Sequence, residues 1–273
     1  MVKFGARAHD YGKSAPEELF SRIHADGFGC IQLALKKAVA GVNDVQDVTP
    51  EMLDRIGTAL RENDLSVGVL GAYVDLALPD EKARLANVAE FTANISFARK
   101  LGAACIGTET TSRSNQPGVS REEAFRLLLD SIARIMPAAE REGVTVAIEP
   151  VRSHTLNTPE LALRMLKTIQ SPNLAIIFDP VNVLSEEAVS TQRDLWERCF
   201  ECFGEKIVAV HMKGVRPGKD GILTSCPFRE SVVDYPYLFG RLKQLPQDFS
   251  IMREEVRPEH AAEDLAFLQN LLR

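Results

Sequence analysis

The chain has 273 residues, 45% of them hydrophobic and 26% charged, which suits a soluble globular protein of one large domain or two small ones with a sizeable core. Its formal net charge of -6 argues against a protein that grips phosphate backbones, and no apolar run approaches the roughly 20 residues of a membrane-spanning helix. The N-terminal MVKFGARAHDYGK lacks the apolar stretch of a secretory leader, and five cysteines form no even disulfide framework, so a reducing, cytoplasmic setting is expected.

In chain order, eight short aliphatic runs read as strands: KFGARA (3–8), CIQLAL (30–35), LSVGVLG (65–71), CIGTE (105–109), TVAIE (145–149), LAIIFD (174–179), IVAVH (207–211) and FSIMRE (249–254). Runs this short and continuously apolar fit strands covered on both faces. Amphipathic helical patterns lie between them. Thr49-Pro50 and Thr158-Pro159 offer an N-cap followed by proline at the first helical position, and Ser120 with Glu123 forms a capping-box pattern. Gly27, Gly102 and Gly143 fall where helices need a left-handed terminator. Cys199-x-x-Cys202 lies in a helical pattern without a second pair, and reads as helix packing rather than a zinc or redox site. Trp196 is expected to pack in the same helix. The longest irregular stretch, 213–231, is either a site loop or a surface excursion.

Eight strand–helix units predict an α/β fold, a (β/α)8 TIM barrel occupying residues 1–273 as one domain. A doubly wound open sheet is the runner-up, but no glycine-rich phosphate loop follows the first strand. In a barrel, the C-terminal strand ends share one face. Glu149, Asp179 and His211 close strands five, six and seven, and the eighth run ends in Glu254-Glu255. Buried carboxylates that converge repel one another unless a cation joins them. Carboxylates with an imidazole suit one divalent ion, Mn²⁺, Mg²⁺, Co²⁺ or Zn²⁺. Alternation along the strand allows one of Glu254 and Glu255 to face the axis, with Glu254 favoured.

These motifs carry a resemblance. AIEP around Glu149, NTPELALRML, IIFDPVN with Asp179 and Asn182, VHMK with His211, and REEV followed by EDLAFL resemble the sugar phosphate isomerase/epimerase family of xylose isomerase-like TIM barrels. LGAYVDLALPD and GTET match the same pattern, so the likeness runs over most of the chain. It implies one divalent metal held by Glu149, Asp179, His211 and Glu254, with Glu149 and Glu254 also acting as acid and base. The implied activity is isomerisation or epimerisation through an enediolate. Dehydration of a related polyol or keto-sugar is the alternative, as is a barrel that binds sugar without turnover. Ketose 3-epimerases of the family carry histidine three residues after the aspartate; here that position is Asn182, which bonds a hydroxyl but relays no proton.

Substrate-binding candidates are His9 after strand one, Tyr73 after strand three, Glu109 ending strand four, His154 beyond Glu149, Asn182, and Lys213 two residues past His211. Lys213 has an alternative role, pairing with a ligand carboxylate. Arg216 reads as a solvated loop residue, and His24 and His260 as surface or packing groups. The expected partner is a small sugar or sugar phosphate, with no nucleic acid and no membrane; self-association as a homo-oligomer stays open. The multi-zinc endonuclease branch of the superfamily is disfavoured, because only five histidines are present and one takes a ligand position.

Overall fold

Each aliphatic run becomes a strand because it can be buried on two faces at once, by neighbouring strands' side chains within the barrel and by a helix outside it. The computed structural model describes residues 2–219 and 222–273. Its barrel strands are β1 (Lys3–Arg7), β2 (Cys30–Leu33), β3 (Ser66–Gly71), β4 (Cys105–Glu109), β5 (Val146–Glu149), β6 (Leu174–Phe178), β7 (Ile207–Met212) and β10 (Ser250–Arg253). They close in the order β1-β10-β7-β6-β5-β4-β3-β2, and every neighbouring pair is parallel. Closure excludes the doubly wound alternative.

Three of the helices begin at the predicted caps, Thr49, Ser120 and Thr158. The helices are α1 (Pro16–Ala25), α2 (Leu35–Ala38), α3 (Pro50–Glu62), α4 (Glu81–Leu101), α5 (Arg121–Glu142), α6 (Pro159–Thr168), α7 (Gln192–Phe203), α8 (Tyr235–Leu242) and α9 (Ala261–Leu272). Thr49 accepts from the Met52 amide at 3.2 Å and Thr158 from the Leu161 amide at 3.2 Å, each satisfying an orphan donor. Gly102 and Gly143 terminate α4 and α5 in the left-handed region. Ser120 caps α5, but the reciprocal half of the capping box is absent: the Glu123 carboxylate turns to Arg126 instead. Ion pairing within the first turn competes successfully for that side chain.

The stretch 213–231 is more ordered than its composition suggests. Gly214–Pro217 forms β8, antiparallel to β9 (Leu223–Cys226), and a 3-10 turn follows at Phe228–Glu230. Asp220 and Gly221 lie outside the described residues. Arg216 on this hairpin pairs with Glu230 at 2.5 Å in solvent. Cys199 and Cys202 are buried in α7, and His24 and His260 are exposed. Trp196 is fully buried, and its indole donates to the Pro180 carbonyl at 3.0 Å, tying α7 to the segment after β6. Among the described residues no helix is long and apolar enough to cross a membrane.

The barrel interior is filled by Cys30, Val69, Cys105, Ala147, Ala175, Ile177, Ala209 and Met252, separate from the larger core between strands and helices. Small residues let eight strands fit around it. A Cβ at Gly5 would lie 2.6 Å from Met252 Sδ and 2.8 Å from the Cys30 carbonyl oxygen. The second contact is backbone and cannot rotate away. Gly5→Val is therefore expected to destabilise the fold by about 2–3 kcal/mol, an overpacking effect. Urea unfolding checks this: the midpoint should fall with the slope unchanged.

Candidate metal and catalytic centre

All eight barrel strands deliver their C-terminal ends to one face, and four acidic or imidazole side chains meet there. Glu149 is the last residue of β5, Asp179 follows β6 directly, His211 is the penultimate residue of β7, and Glu254 follows β10. All four are nearly inaccessible to solvent, Asp179 at 0% and Glu254 at 6% exposure. Ligand atoms of Glu149, Asp179 and His211 lie within 4.8 Å of one another. His211 Nδ1 is 3.1 Å from Glu149 Oε2 and 3.4 Å from Glu254 Oε1. By bond angle both His211 ring nitrogens are without a hydrogen-bond partner among the described residues.

Local structure fixes these groups. Asp179 Oδ1 accepts from the amides of Val181 at 2.7 Å and Asn182 at 2.9 Å, folding the chain back over the strand end. Its Oδ2 has no hydrogen bond but stands 2.8 Å from Lys213 Nζ. Asn182 Nδ2 donates to Glu149 Oε1 at 2.6 Å, so the candidate substrate residue orients a carboxylate. Lys213 also donates to Glu254 Oε2 at 3.1 Å, realising its alternative, carboxylate-pairing role. Alternation decides between the two terminal glutamates: Met252 and Glu254 face the axis, whereas Glu255 takes a φ of 57° and turns away. Glu255 lines a cavity of about 240 Å³, whose lining includes none of the four clustered residues.

The electrostatics follow from burial against charge. Burial opposes ionisation of Glu254, but His211, Lys213 and Arg7 outweigh it and hold its carboxyl well below the ordinary range. Burial alone would lower His211; Glu254 and Glu149 overcome this and raise it to about 9. Lys213 is likewise raised against burial, first by Asp179 and then by Glu254. Asp179 is raised, by burial first and by Glu149 and Glu254 in spite of Lys213. Buried carboxylates converging on an imidazole with unpartnered nitrogens are a donor set that a divalent cation fits.

Around the centre, the remaining candidates divide. Glu109 pairs in register with Glu149, and His154 Nε2 is 3.6 Å from Glu109 Oε2. Burial, then Glu149 and Glu254, push the Glu109 carboxyl up to about 7. Tyr73, Asp75, Glu109 and His154 line a cavity of about 190 Å³. His9 follows β1, two strands round the barrel from the end of β3 that leads to Tyr73. Two contributors escape the sequence reading. Arg7 Nη1 is 3.5 Å from Glu254 Oε1, and Gln32 Nε2 is 3.4 Å from the same oxygen while also donating to the Tyr73 hydroxyl. Gln32 carried a readable signal, a lone amide inside the apolar run CIQLAL.

A family model described as xylose isomerase-like TIM barrel matches residues 20–271. The chain belongs to the xylose isomerase-like TIM barrel family. No curated protein matches the sequence. Solved structures do match its fold. A D-tagatose 3-epimerase-like protein superposes with a TM-score of 0.79 at 18% identity, covering 99% of this chain and 97% of that one. A xylose isomerase-like TIM barrel protein from Mycobacterium smegmatis, in complex with magnesium, gives 0.77 at 14% identity over 100% and 97%. The probable 3-DHS dehydratase AsbF from Bacillus anthracis gives 0.75 at 15% identity over 98% and 99%. At these identities the likeness establishes the xylose isomerase-like fold; the reaction has to be argued from the site.

Proposed function

We infer that this family member is a divalent-metal-dependent isomerase or epimerase of a sugar or sugar-like hydroxy-carbonyl compound. The observation that carries the reading is the placement of two buried glutamates, Glu149 and Glu254, on strands three positions apart around the barrel, both within 3.4 Å of His211 Nδ1. Glu149, Asp179, His211 and Glu254 would hold the ion, Mn²⁺, Mg²⁺, Co²⁺ or Zn²⁺. Bound there, it would polarise a substrate carbonyl and offset the negative charge that develops on its oxygen.

The chain's own groups account for the proton. One glutamate removes it from the carbon beside the carbonyl, leaving an enediolate, and the other returns it. Return to the opposite face of the same carbon is epimerisation; return to the former carbonyl carbon, with the hydroxyl proton passing to the former carbonyl oxygen, is isomerisation. Asn182 keeps Glu149 aimed by donating to Oε1. Lys213 neutralises Asp179 and Glu254 through Oδ2 and Oε2, leaving Glu254 Oε1 on the His211 side. Tyr73, Glu109 and His154 wall the substrate side of the mouth, and His9 stands at the end of neighbouring β1. The burial of the cluster keeps bulk water from quenching the carbanion.

A dehydratase is the second reading. It is favoured by Asn182, which stands where ketose 3-epimerases carry histidine and which donates to Glu149 as an amide. Incubation of the manganese-loaded protein with free and phosphorylated ketoses and aldoses, inosose and hydroxypyruvate separates these by proton NMR. A new epimer or an aldose–ketose pair is the expected product. A dehydrated product would establish the second reading, and binding without any turnover would make the barrel a non-catalytic one.

A further inference from the structure

Two adjacent lysines in α2 behave differently. Lys36 pairs with Glu90 on α4. Lys37 makes no ion pair among the described residues; its Nζ lies 4.2 Å from the centre of the Tyr73 ring. Lys37 is exposed, and its ammonium stands over an aromatic face. That ring belongs to the barrel mouth. It packs so closely on Gly71 that an added Cβ would be 2.8 Å from it, and its hydroxyl accepts from Gln32, which reaches Glu254.

His9 shares this flank. Its Nδ1 is buried without a hydrogen-bond partner. Burial, then the charges of Arg7 and Lys37, push its imidazole down to about 4, so at neutral pH it is uncharged and offers one N–H. The mouth therefore has two signs. His9 follows β1 and Lys37 lies in α2 after β2; Asp75 and Glu109 stand on the β3–β4 side, beside His154. A neutral sugar would leave Lys37 with no counter-charge, whereas an anionic end group would meet both an ammonium and an imidazole N–H.

Building on the function inferred above, we propose that the substrate is an anion, a hydroxy-carbonyl compound whose terminal carboxylate or phosphate is held by Lys37 with His9 beside it. The opposite, hydroxyl-bearing end then faces Glu109 and His154, which accept and donate hydrogen bonds to hydroxyls but repel a second anionic group.

Three probes share one hydroxy-ketone core and differ in the end group: dihydroxyacetone, hydroxypyruvate and dihydroxyacetone phosphate. Their binding to the manganese-loaded protein is measured by isothermal titration, which needs no turnover. At least one anion should bind roughly tenfold or more tighter than dihydroxyacetone, and the tighter of the two identifies carboxylate or phosphate. Lys37→Met should remove that preference and leave dihydroxyacetone unchanged; Lys37→Arg should restore most of it, and Lys36→Met should change nothing. Equal binding of charged and neutral probes, no binding of either anion, or an equal loss for all three in Lys37→Met would overturn the proposal. Lys37-dependent anion binding with no proton exchange in any probe would instead leave this inference standing and remove the isomerase reading.

Discussion

Asp179→Ala is expected to lose roughly 100-fold or more in divalent-metal affinity while keeping the fold. The side chain performs two separable tasks. Oδ1 is committed to the amides of Val181 and Asn182, and Oδ2 faces the cluster beside Lys213. Alanine removes an anionic ligand and leaves Lys213 with Glu254 as its remaining carboxylate partner. The site then presents two carboxylates to the cation instead of three, together with an ammonium that still repels it. Asp179→Asn preserves the turn but not the charge, and should fall between wild type and alanine. Metal content after dialysis, read by atomic emission alongside circular dichroism, checks both variants. Unchanged stoichiometry in a folded Asp179→Ala protein would remove Asp179 from the site.

Glu149→Gln is the second large effect. Turnover should fall by about 10³-fold, the middle of the range for a lost general acid or base. Substrate affinity should change only a few-fold. Glutamine fills the same volume, and its amide oxygen can still accept from Asn182 Nδ2. Proton removal is what it cannot do. Measuring kcat and KM separately on metal-replete protein distinguishes this from a damaged pocket, since a lost base lowers kcat whereas lost binding raises KM. Intact turnover would mean that Glu149 is not the base.

The barrel and the centre of the site were legible because they obey short-range rules. Eight aliphatic runs closed by chemistry-bearing residues place Glu149, Asp179, His211 and Glu254 together through topology alone, and the choice of Glu254 over Glu255 follows from alternation. What escaped depends on groups far apart in sequence. Arg7 and Gln32 meet Glu254 across more than 200 residues, and no local pattern announces such a contact. Lys37 is indistinguishable from Lys36 in the sequence; only the position of the Tyr73 ring separates them. The hairpin of β8 and β9 was hidden because glycine, proline and charged residues dominate 213–231, while its pairing is fixed by backbone bonds that side-chain composition does not report.

In the proposed function this buried cluster moves a carbon-bound proton with the help of a divalent ion. The most direct test is deuterium uptake from D2O into the carbon beside the carbonyl, followed by proton NMR across the ketose, aldose, inosose and hydroxypyruvate panel. Uptake is expected at one specific carbon with manganese-loaded protein, and should disappear both after chelation and in Glu149→Gln. Uptake that persists in the stripped protein or in that variant, or no uptake on any member of the panel, would contradict the proposed function.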